Sequence, residues 1–543
     1  MYAVELDCKT GGLKLLEKKA LIHHEIRPVF VPELVSLGLD KYFDFETTTD
    51  NLIMWRDLGW YYYRGQKAFH IRADNPGVPQ EFCLPRGTQL DPVDMRGTLN
   101  RNYDLLAKLR KDTIDWLRKT YDERKKKNEF WYVAYSGGKD SQVLLDLAIE
   151  ALGDSISVIF GDTTMEFPQT YKTVEGAKKF CEMRGVPFHV ARAPYCAEES
   201  WTKFGTPGRR NRWCCDVHKS SPSTILARKL SDGRPVVDIQ GVRKAESFTR
   251  SQYEAVAPSK VLGATDVRPI LEWGSYEIWL TIFMRGLYIN ECYRLGAARV
   301  GCVLCPMAST PNDIFADQYG GDVYKPLKAL VDSSYAIDRF KNRTPQSWRR
   351  RMDGNLDPNA KQLVSEEIED DDGDSYTYVA RFSVYQPQTF DAWLKTLPKN
   401  LAVRVKNGFE ATGKENNDFA FKCAVHFNRD KKGRAERERF VKFIRRAVYC
   451  VGCGVCEANC VHGALKCIDG GVQVDETKCR QCGKCMTGRA AQCLRYKSRR
   501  VAKNRDEIIA RANANMERRK HEEEQRRESY PLLQLQNLSS VSQ

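Results

Sequence analysis

One stretch decides the fold of the central part of this 543-residue chain: Trp131-Tyr132-Val133-Ala134-Tyr135-Ser136-Gly137-Gly138-Lys139-Asp140-Ser141. An apolar strand ends in the loop SGGKDS, and an amphipathic helix follows from Gln142 to Leu152. The paired glycines permit positive φ and close backbone approach, Ser136 and Ser141 supply hydroxyls, and the helix start offers unpaired N–H groups. Lys139 adds a positive charge. The stretch therefore predicts a strand, loop and helix that bind phosphate.

A glycine-rich turn without a ligand is the alternative explanation of this loop. One glycine would suffice for such a turn, whereas phosphate-binding loops combine glycines, a lysine and hydroxyl groups. The loop is not a Walker A loop, because four residues do not separate its first glycine from the Gly-Lys pair. We therefore favour a phosphate site of another kind.

A second strand, Ile156 to Phe160, ends in the loop Gly161-Asp162-Thr163-Thr164-Met165-Glu166-Phe167-Pro168. Ligands bind at the carboxyl ends of strands in α/β sheets. Asp162 is suited to hydrogen-bond a ribose, to hold Mg²⁺ or to cap the following turn, and these alternatives stay open. Further predicted helices and strands alternate along the chain after this loop. We therefore expect an α/β domain with a doubly wound parallel sheet.

A third loop, Gly241-Val242-Arg243-Lys244-Ala245-Glu246-Ser247-Phe248-Thr249-Arg250, again follows a predicted strand. Arginine forks suit phosphate or sulfate oxygens better than lysine does. Most surface arginines have no specific ligand, but their position at a strand end makes Arg243 and Arg250 candidates for holding an anion. The three loops together give the candidate nucleotide-binding residues: Ser136, Gly137, Gly138, Lys139, Asp140, Ser141, Asp162, Glu166, Gly241, Arg243 and Arg250.

Five motifs taken together resemble the phosphoadenosine-phosphosulfate reductase family, within the adenine-nucleotide α-hydrolase superfamily. They are SGGKDS, DTTMEFP, RNRWCC, GVRKAESFTR and RPILEW, over roughly residues 95 to 310. Typical sulfonucleotide reductases have a degenerate phosphate loop and a nucleophilic cysteine near the C-terminus. Here the loop is intact and the last cysteine, Cys493, belongs to a predicted metal cluster. The resemblance therefore implies ATP or another pyrophosphate-bearing nucleotide, as in the ATP-dependent sulfurtransferase branch that includes DNA-phosphorothioation enzymes.

Cysteine usage gives a second line of inference, because the chain has 19 cysteines, mostly in tight C-x-x-C groups. Charges at Glu5, Asp7 and Lys9 argue against a secretion signal, so we expect a cytoplasmic protein whose close-spaced thiols bind metal. The pair Cys214-Cys215 with Cys302-x-x-Cys305 resembles the [4Fe-4S] ligands of adenylyl-sulfate reductases. One cysteine of the pair with Cys292, Cys302 and Cys305 resembles the ligands of the DNA-phosphorothioation branch, and structural zinc is a further alternative.

A second cysteine group follows the bacterial two-cluster ferredoxin pattern. It comprises Cys450, Cys453, Cys456 and Cys460, then Cys479, Cys482, Cys485 and Cys493. In that fold the fourth cysteine of each run ligates the other cluster, so Cys493 joins the first three and Cys460 joins the second run. Val461 and Leu494 replace the usual proline, and a zinc ribbon is the alternative. Cys467, between the runs, is expected to be a small buried residue.

Length and 42% apolar content allow several cores, and the pattern changes along the chain suggest five segments. We expect no membrane span, because no stretch of about 18 uncharged apolar residues occurs. The predicted segments are 1–96, a small β-rich module without metal; 97–310, the nucleotide domain; 311–445, a helical and mixed connecting domain; 446–496, an α+β ferredoxin-like domain; and 497–543, a basic helical tail.

The predicted function is that of an iron–sulfur enzyme that binds ATP or an adenylyl sulfate and carries out sulfur transfer or reductive sulfur chemistry. Two C-terminal [4Fe-4S] clusters would pass electrons from an external donor to a cluster in the nucleotide domain. A sulfonucleotide reductase that releases sulfite and a nucleotide-gated electron-transfer protein are the alternatives. No catalytic residue is identified, although Cys181 and Cys196 are candidate nucleophiles. The net charge of +15 makes nucleic acid a candidate sulfur acceptor.

Overall fold

The structure is a computed structural model that describes residues 1–20, 24–72, 77–209, 211–259, 263–336, 347–350, 363–369, 372–413, 419–468, 470–488, 491–499, 517 and 521. The basic tail predicted for 497–543 therefore lies almost wholly outside the described residues. No helix among the described residues is long and apolar enough to cross a membrane.

The helices are α1 Val31–Ser36, α2 Met95–Arg124, α3 Lys139–Leu152, α4 Pro168–Glu182, α5 Ala197–Phe204, α6 Trp213–Cys215, α7 Ser221–Ser231, α8 Phe248–Ser251, α9 Ser275–Arg285, α10 Glu291–Arg294, α11 Thr310–Tyr319, α12 Tyr324–Ala336, α13 Pro387–Leu394, α14 Lys399–Asn407, α15 Lys431–Tyr449, α16 Val455–Ala458 and α17 Leu494–Arg499. A π-helical segment, Asp216–Ser220, joins α6 to α7.

The strands are β1 Tyr2–Leu6, β2 Leu13–Lys19, β3 Arg27–Phe30, β4 Phe43–Asp44, β5 Leu52–Asp57, β6 Trp60–Tyr63, β7 Gln66–His70, β8 Thr88–Gln89, β9 Phe130–Tyr135, β10 Ser157–Asp162, β11 Phe188–Arg192, β12 Val236–Gln240, β13 Val256–Pro258, β14 Ala264–Val267, β15 Val364–Glu369, β16 Ser375–Phe382, β17 Phe409–Ala411, β18 Phe421–Asn428, β19 Leu465–Ile468 and β20 Gly471–Val474.

The nucleotide domain is built on a sheet with the order β11-β10-β9-β12-β14-β13. All pairings are parallel except that of β13 with β14, which is antiparallel. Helices α2, α3 and α4 pack on one face of the sheet and α7 on the other, so the predicted α/β fold with a largely parallel sheet is confirmed for this domain.

The strand order places the candidate loops together. The chain runs outward from β9 to β10 and β11, and then returns to the other side of β9 with β12. The carboxyl ends of β9 and β12 therefore flank a topological switch point, which is where open α/β sheets bind ligands. SGGKDS follows β9 and the arginine-bearing loop follows β12, so both predicted loops lie at that point.

The N-terminal part, predicted as β-rich, contains the antiparallel sheet β3-β5-β6-β7 and the hairpin β1-β2. Its apolar side chains pack with those of α2, α3 and α9 in one core, which includes Trp55, Leu106 and Trp279. The N-terminal strands are therefore fixed against the helices of the nucleotide domain.

The connecting segment forms an antiparallel sheet, β15-β16-β18-β17, covered by α13, α14 and α15. The sequence pattern predicts only mixed structure here. Apolar residues of this sheet and its helices share one core with Leu465, Val472 and Met486 of the C-terminal cysteine-rich segment. The connecting sheet and the cysteine-rich segment therefore pack as one body, which we call the C-terminal unit (363–499).

The predicted boundaries 96/97, 310/311, 445/446 and 496/497 each fall inside a helix: α2, α11, α15 and α17 respectively. Helices run through from one predicted segment to the next, so the change of composition at these points marks no break in the backbone. Helices α11 and α12, for example, pack against Phe167 and Trp201 of the nucleotide domain.

Candidate nucleotide site and cysteine sites

The SGGKDS loop turns sharply between β9 and α3. Gly137 has a φ of 72°, and a Cβ on this residue would lie 2.9 Å from Thr170 Cγ2, so both its conformation and its surroundings require glycine. Ser136 Oγ lies 3.1 Å from Ser141 Oγ, and Ser141 Oγ donates to the carbonyl of Gly138 at 2.9 Å. The loop thus holds its hydroxyls at the start of α3, where backbone N–H groups favour an anion.

Two residues that the sequence did not identify form hydrogen bonds with the backbone of this loop. Asn290 Nδ2 donates to the carbonyl of Gly137 at 3.0 Å, and Tyr293 accepts from the backbone N–H of Lys139 on its hydroxyl oxygen at 3.1 Å. Both side chains are buried beside α10. No sequence signal would have identified them, because they lie about 150 residues from the loop.

Asp140 is the centre of a buried charge network. Lys139 Nζ lies 2.7 Å from Asp140 Oδ2, and Arg243 Nε donates to Asp140 Oδ1 at 2.6 Å. Burial would raise the pKa of Asp140, but the charges of Lys139 and Arg243 outweigh it and lower the pKa to about 2. Glu25 of the N-terminal part holds the other end of Arg243, with an Nη1 to Oε1 distance of 3.2 Å. Arg243 is 1% exposed, so this side chain positions Asp140 and the loop.

Gly241 and Arg250 occupy different parts of the third loop. A Cβ on Gly241 would lie 3.3 Å from the carbonyl carbon and oxygen of Asp140, so this glycine lets the loop after β12 pass close to the start of α3. The Arg250 guanidinium pairs with Glu246, whose second oxygen accepts from Arg299 at 2.9 Å. Arg250 is therefore held near the surface of the loop, apart from the Asp140 network.

Asp162 caps the turn at the end of β10. Its Oδ1 accepts from the Thr164 N–H and from the Tyr171 hydroxyl, both at 2.8 Å, and Oδ2 accepts from Arg192 Nε at 2.6 Å. These contacts correspond to the capping alternative among the three that the sequence left open.

Four cysteines of the nucleotide domain lie close enough to influence one another's ionisation: Cys214, Cys215, Cys302 and Cys305. We call them the inner quartet. A hydrogen bond from Cys214, together with the charges of Arg212 and Lys219, lowers the pKa of Cys215. Burial raises the pKa of Cys302 well above its usual value. Cys292 is fully buried and contacts α4 instead, with Sγ 3.9 Å from Gln169 Oε1. The arrangement favours the ligand set that contains both Cys214 and Cys215.

The surroundings of the inner quartet fit a sulfide-containing group. The buried N–H donors of Trp201, Asn211 and Trp213 have no acceptor among the described residues, and all three lie within or beside the segments that carry Cys214. Sulfide ions accept hydrogen bonds from such donors, and hydrogen bonds to the sulfurs tune a cluster. Together with the thiol ligands, these donors suit an iron–sulfur cluster.

The inner quartet adjoins the nucleotide loops through Glu166. Glu166 and Cys302 form an isolated antiparallel β-bridge, and the N–H of Val303 donates to the carbonyl of Met165 at 2.7 Å. Thr163 Oγ1 donates to Glu166 Oε1 at 2.8 Å and lies 3.6 Å from Cys302 Sγ. Burial raises the pKa of Glu166, against the opposing charge of Lys219. The second candidate loop is thus in direct contact with the cysteine site.

The C-terminal cysteines line two separate cavities. Cys450, Cys453, Cys456 and Cys493 line one cavity, which we call the first cavity. Cys460, Cys479, Cys482 and Cys485 line another, the second cavity. The fourth cysteine of each run therefore lies with the first three of the other run. Cys467, which we expected to be a small buried residue, is half-buried and also lines the first cavity as a fifth thiol.

Both cavities suit soft-metal clusters by their chemistry, although the described residues contain no preformed group of three or more His, Cys, Asp or Glu at metal-binding distance. Five thiols line the first cavity and four line the second, and the buried Arg446 supplies a positive charge felt by Cys485 and Cys493. Gly452 has a φ of 69°, and its Cβ would lie 2.1 Å from the Ile468 carbonyl oxygen. The loop that carries Cys450 and Cys453 thus needs glycine to fold around the cavity.

Residues beside the first cavity and residues beside the inner quartet pack in one hydrophobic core. Phe204 lines the first cavity and stacks on Trp213, with ring centroids 4.5 Å apart and planes 16° apart. Trp213 directly precedes Cys214. Val455 and Leu494 of the C-terminal unit belong to the same core as Phe204 and Trp213. The same core contains cysteines of both sites: Cys214, Cys302, Cys453 and Cys456.

Comparison with known proteins identifies relatives of the central part. Residues 131–308 match the profile of the phosphoadenosine phosphosulfate reductase domain. An uncharacterized protein of Methanocaldococcus jannaschii is 29% identical over 242 residues, which cover 42% of this chain and 48% of that protein. The adenosine 5'-phosphosulfate reductase of Shouchella clausii is 27% identical over 205 residues, covering 37% of this chain and 79% of that enzyme.

Among solved structures, the phosphoadenylyl-sulfate reductase of Candida auris, in a phosphate complex, aligns with a TM-score of 0.29 at 18% identity. The alignment covers 38% of this chain and 95% of that chain, and its TM-score is too low to support an inference about function. The chain spans about half of the length of its Methanocaldococcus relative. Residues 131–308 of this chain are thus similar to the phosphoadenosine phosphosulfate reductase domain and to adenosine 5'-phosphosulfate reductases.

Proposed function

We propose that this chain is an iron–sulfur enzyme that binds an adenine nucleotide, ATP or an adenylyl sulfate, and carries out ATP-dependent sulfur transfer or reductive sulfur chemistry. One observation carries the proposal: the loop that follows β10 is bridged to the inner quartet through Glu166 and Cys302. A nucleotide held at the switch point of the sheet would therefore lie next to the thiols that bear sulfur or electrons.

The residues of the phosphate loop have distinct roles in this proposal. Ser136, Ser141 and the N–H groups at the start of α3 would bind the phosphates. Lys139 is held by Asp140 within the loop and would move to the phosphate as a point charge. Arg243, which is buried between Asp140 and Glu25, would act as a positioning residue for the loop and not as a direct ligand of the distal anion.

The inner quartet would hold one [4Fe-4S] cluster, and the first and second cavities would hold two more. Such clusters supply one-electron transfer at low potential. The core around Phe204 and Trp213 contains thiols of both cysteine sites. Electrons from the C-terminal unit would therefore reach the nucleotide domain without leaving the chain. Thiol ligands of this kind need a reducing compartment, so a cytoplasmic location remains part of the proposal.

The intact loop favours ATP as the substrate. An acceptor oxygen would attack the α-phosphorus, pyrophosphate would leave from the loop, and a sulfur nucleophile would then displace AMP from the acceptor. The charge of +15 keeps nucleic acid among the candidate acceptors.

Product analysis under anaerobic, reducing conditions tests the proposal. The protein is incubated with α-labelled ATP, a candidate acceptor such as tRNA or DNA and sulfide as the sulfur source and, separately, with both adenylyl sulfates, and pyrophosphate, AMP and sulfite are measured. Pyrophosphate and AMP from ATP, with little sulfite from either adenylyl sulfate, are expected. Sulfite without cleavage of ATP would instead identify a sulfonucleotide reductase, and binding of all three nucleotides without any product would identify a nucleotide-gated electron-transfer protein.

A further inference from the structure

The two cavities of the C-terminal unit differ in their surroundings. The first is walled by Phe204 of the nucleotide domain, and Arg495 beside it donates to the carbonyl of Lys203 at 3.3 Å. The second is lined only by residues of the C-terminal unit and reaches the surface at Cys482, which is exposed. The first cavity is therefore the inner one, and the second faces solvent.

The surface around the second cavity is basic. Arg480 and Lys484 line the cavity, are exposed, and flank Cys482 in the segment Cys479-Arg480-Gln481-Cys482-Gly483-Lys484-Cys485. Within the described part of the chain neither cation has an ion-pair partner. The two acids that precede the segment in sequence are already paired, since Asp475 Oδ2 lies 3.1 Å from Lys478 Nζ and Glu476 Oε1 lies 2.9 Å from Lys395 Nζ. Two uncompensated positive charges thus surround the exposed thiol.

The backbone holds this segment in a fixed shape. Gln481 has a φ of 51°, which is unusual for a residue other than glycine, and Gly483 has a φ of 72°. Gln481 Nε2 donates to the carbonyl of Lys395 at 3.5 Å, which links the segment to the end of α13. A rigid loop that presents charge costs little entropy when a partner docks.

We propose that the loop 479–485 is the docking surface for an acidic one-electron carrier protein. The inference rests on the proposed function, because it requires an electron acceptor held by Cys460, Cys479, Cys482 and Cys485. In each encounter the carrier is oxidised by one electron and that acceptor is reduced by one, with no bond formed or broken. Opposite charges on the two proteins steer the encounter and raise its rate.

The chemistry of the loop favours a protein over a nucleic acid. Single-stranded nucleic acids bind to grooves in which aromatic side chains stack on successive bases. The segment 479–485 contains no aromatic residue, and its two free cations lie at one exposed thiol instead of along a groove. A short, basic, thiol-centred surface suits a small acidic carrier.

The test uses the full-length, anaerobically purified protein and reduced flavodoxin, a small acidic flavoprotein, as the probe. The double variant Arg480→Glu with Lys484→Glu is compared with the control Lys126→Glu with Lys127→Glu, whose side chains are exposed beyond α2 and give the same change of net charge. Stopped-flow spectroscopy follows the bleaching of the iron–sulfur absorbance, and biolayer interferometry measures the binding of oxidised flavodoxin. Dithionite, a small reductant, serves as the reference donor.

We expect the Arg480/Lys484 variant to be reduced by flavodoxin about tenfold more slowly than the wild type at low ionic strength. The difference should shrink as salt is added, the control should stay within about twofold of the wild type, and dithionite should reduce all three proteins equally. Binding of oxidised flavodoxin should weaken in parallel. The neutral variant Arg480→Ala with Lys484→Ala should lie between the two.

The outcomes separate this inference from the proposed function. A wild-type protein that carries full iron and accepts electrons from dithionite, but whose flavodoxin rate is unchanged by the charge reversal, overturns the docking surface alone. So does a loss of affinity for single-stranded DNA or tRNA without a change in flavodoxin rate. A fully reconstituted protein without iron at the C-terminal unit overturns the proposed function, and the docking surface with it.

Discussion

Lys139 and Asp140 are adjacent in the phosphate loop and carry opposite charges. The positive charge of Lys139 attracts a phosphate, whereas the negative charge of Asp140 by itself would repel one. Asp140 is neutralised twice, by Lys139 and by Arg243. Its negative charge therefore orders the loop without repelling an anionic ligand. This explains how a carboxylate is tolerated inside a phosphate site.

Replacement of Lys139 by alanine should weaken nucleotide binding. A charge-assisted hydrogen bond contributes about 2 kcal/mol, so the Kd for ATP should rise about 30-fold. Isothermal titration calorimetry with ATP measures the change. Lys178→Ala, at an exposed position of α4, is the control and should bind as the wild type does. Equal affinities of the two variants would show that the loop is structural.

Single cysteine replacements distinguish the two ligand sets of the nucleotide domain. Cys302→Ser should lower the iron content by about four atoms per chain, because Cys302 belongs to both sets. Cys292→Ser should leave it unchanged, since this thiol packs against Gln169 apart from the inner quartet. Iron assays on anaerobically purified protein decide this, with the exposed Cys83→Ser as control. Loss of iron from Cys292→Ser, together with full iron in either Cys214→Ser or Cys215→Ser, would establish the other set.

At the scale of single residues, the sequence predicted those functional residues that belong to a short motif. The loop SGGKDS and the ferredoxin-type spacings could be recognised, because each requires several residue types within a few positions. Glu25 and Tyr293 could not, because they meet the loop only through the tertiary fold. Arg243 was placed in the site, but its burial between two carboxylates depends on Glu25, more than 200 residues away.

Strands β9, β12 and β14 place three titratable side chains in a row across the sheet. Asp238 is the register partner of both Tyr132 and Asp266. Burial raises the pKa of Asp238 to about 6, because the interior disfavours its charged form. The Arg268 guanidinium pairs with Asp266, and its charge offsets the effect of burial on Asp238 only in part.

The pH dependence of stability should reflect this carboxyl. The folded state holds the Asp238 proton more tightly than the unfolded state, whose pKa is about 3.9. The contribution of this carboxyl to stability should therefore be largest below about pH 4 and fall by about 2 to 3 kcal/mol as the pH rises to about 6.5. Urea unfolding of the wild type and of Asp238→Asn between pH 4 and 7 measures the difference. A constant difference across this range would contradict the prediction.

The sheet itself was predictable because parallel strands leave alternating apolar runs and helices in the sequence. The antiparallel edge strand β13 was not, since it is only three residues long. Four predicted boundaries fall inside helices for a related reason. A change of composition marks a change of neighbours, whereas a helix of 30 residues such as α2 contacts different neighbours along its length.

For the whole molecule, three clusters imply a definite metal content. Three four-iron clusters would give about 12 iron and about 12 sulfide atoms per chain. Colorimetric iron and sulfide assays on anaerobically reconstituted protein measure this. A content of four iron atoms or fewer would contradict the two-cluster assignment of the C-terminal unit.

The C-terminal unit docks on α7 through Arg228. Its Nη1 donates to the carbonyl of Ala458 at 2.6 Å and to that of Cys460 at 3.2 Å. Arg228→Ala should remove about 1 to 3 kcal/mol from this contact, because the buried carbonyls lose their donor. Hydrogen exchange should speed up in residues 455–460 and stay unchanged in the connecting sheet. Arg234→Ala, at the exposed end of the same helix, is the control, and equal exchange in both variants would show that the contact is not stabilising.

The core shared by Trp201, Phe204 and Trp213 with Val455 and Leu494 has a consequence for the synthesis of the protein. The ribosome makes Trp213 more than 200 residues before Val455, and at 5 to 20 residues per second this is a delay of roughly 10 to 50 s. During that time the apolar face of the nucleotide domain that packs against the C-terminal unit is exposed to solvent. We expect the nascent chain to need a chaperone over this interval, and the final fold to be reached only after the C-terminal unit has left the exit tunnel.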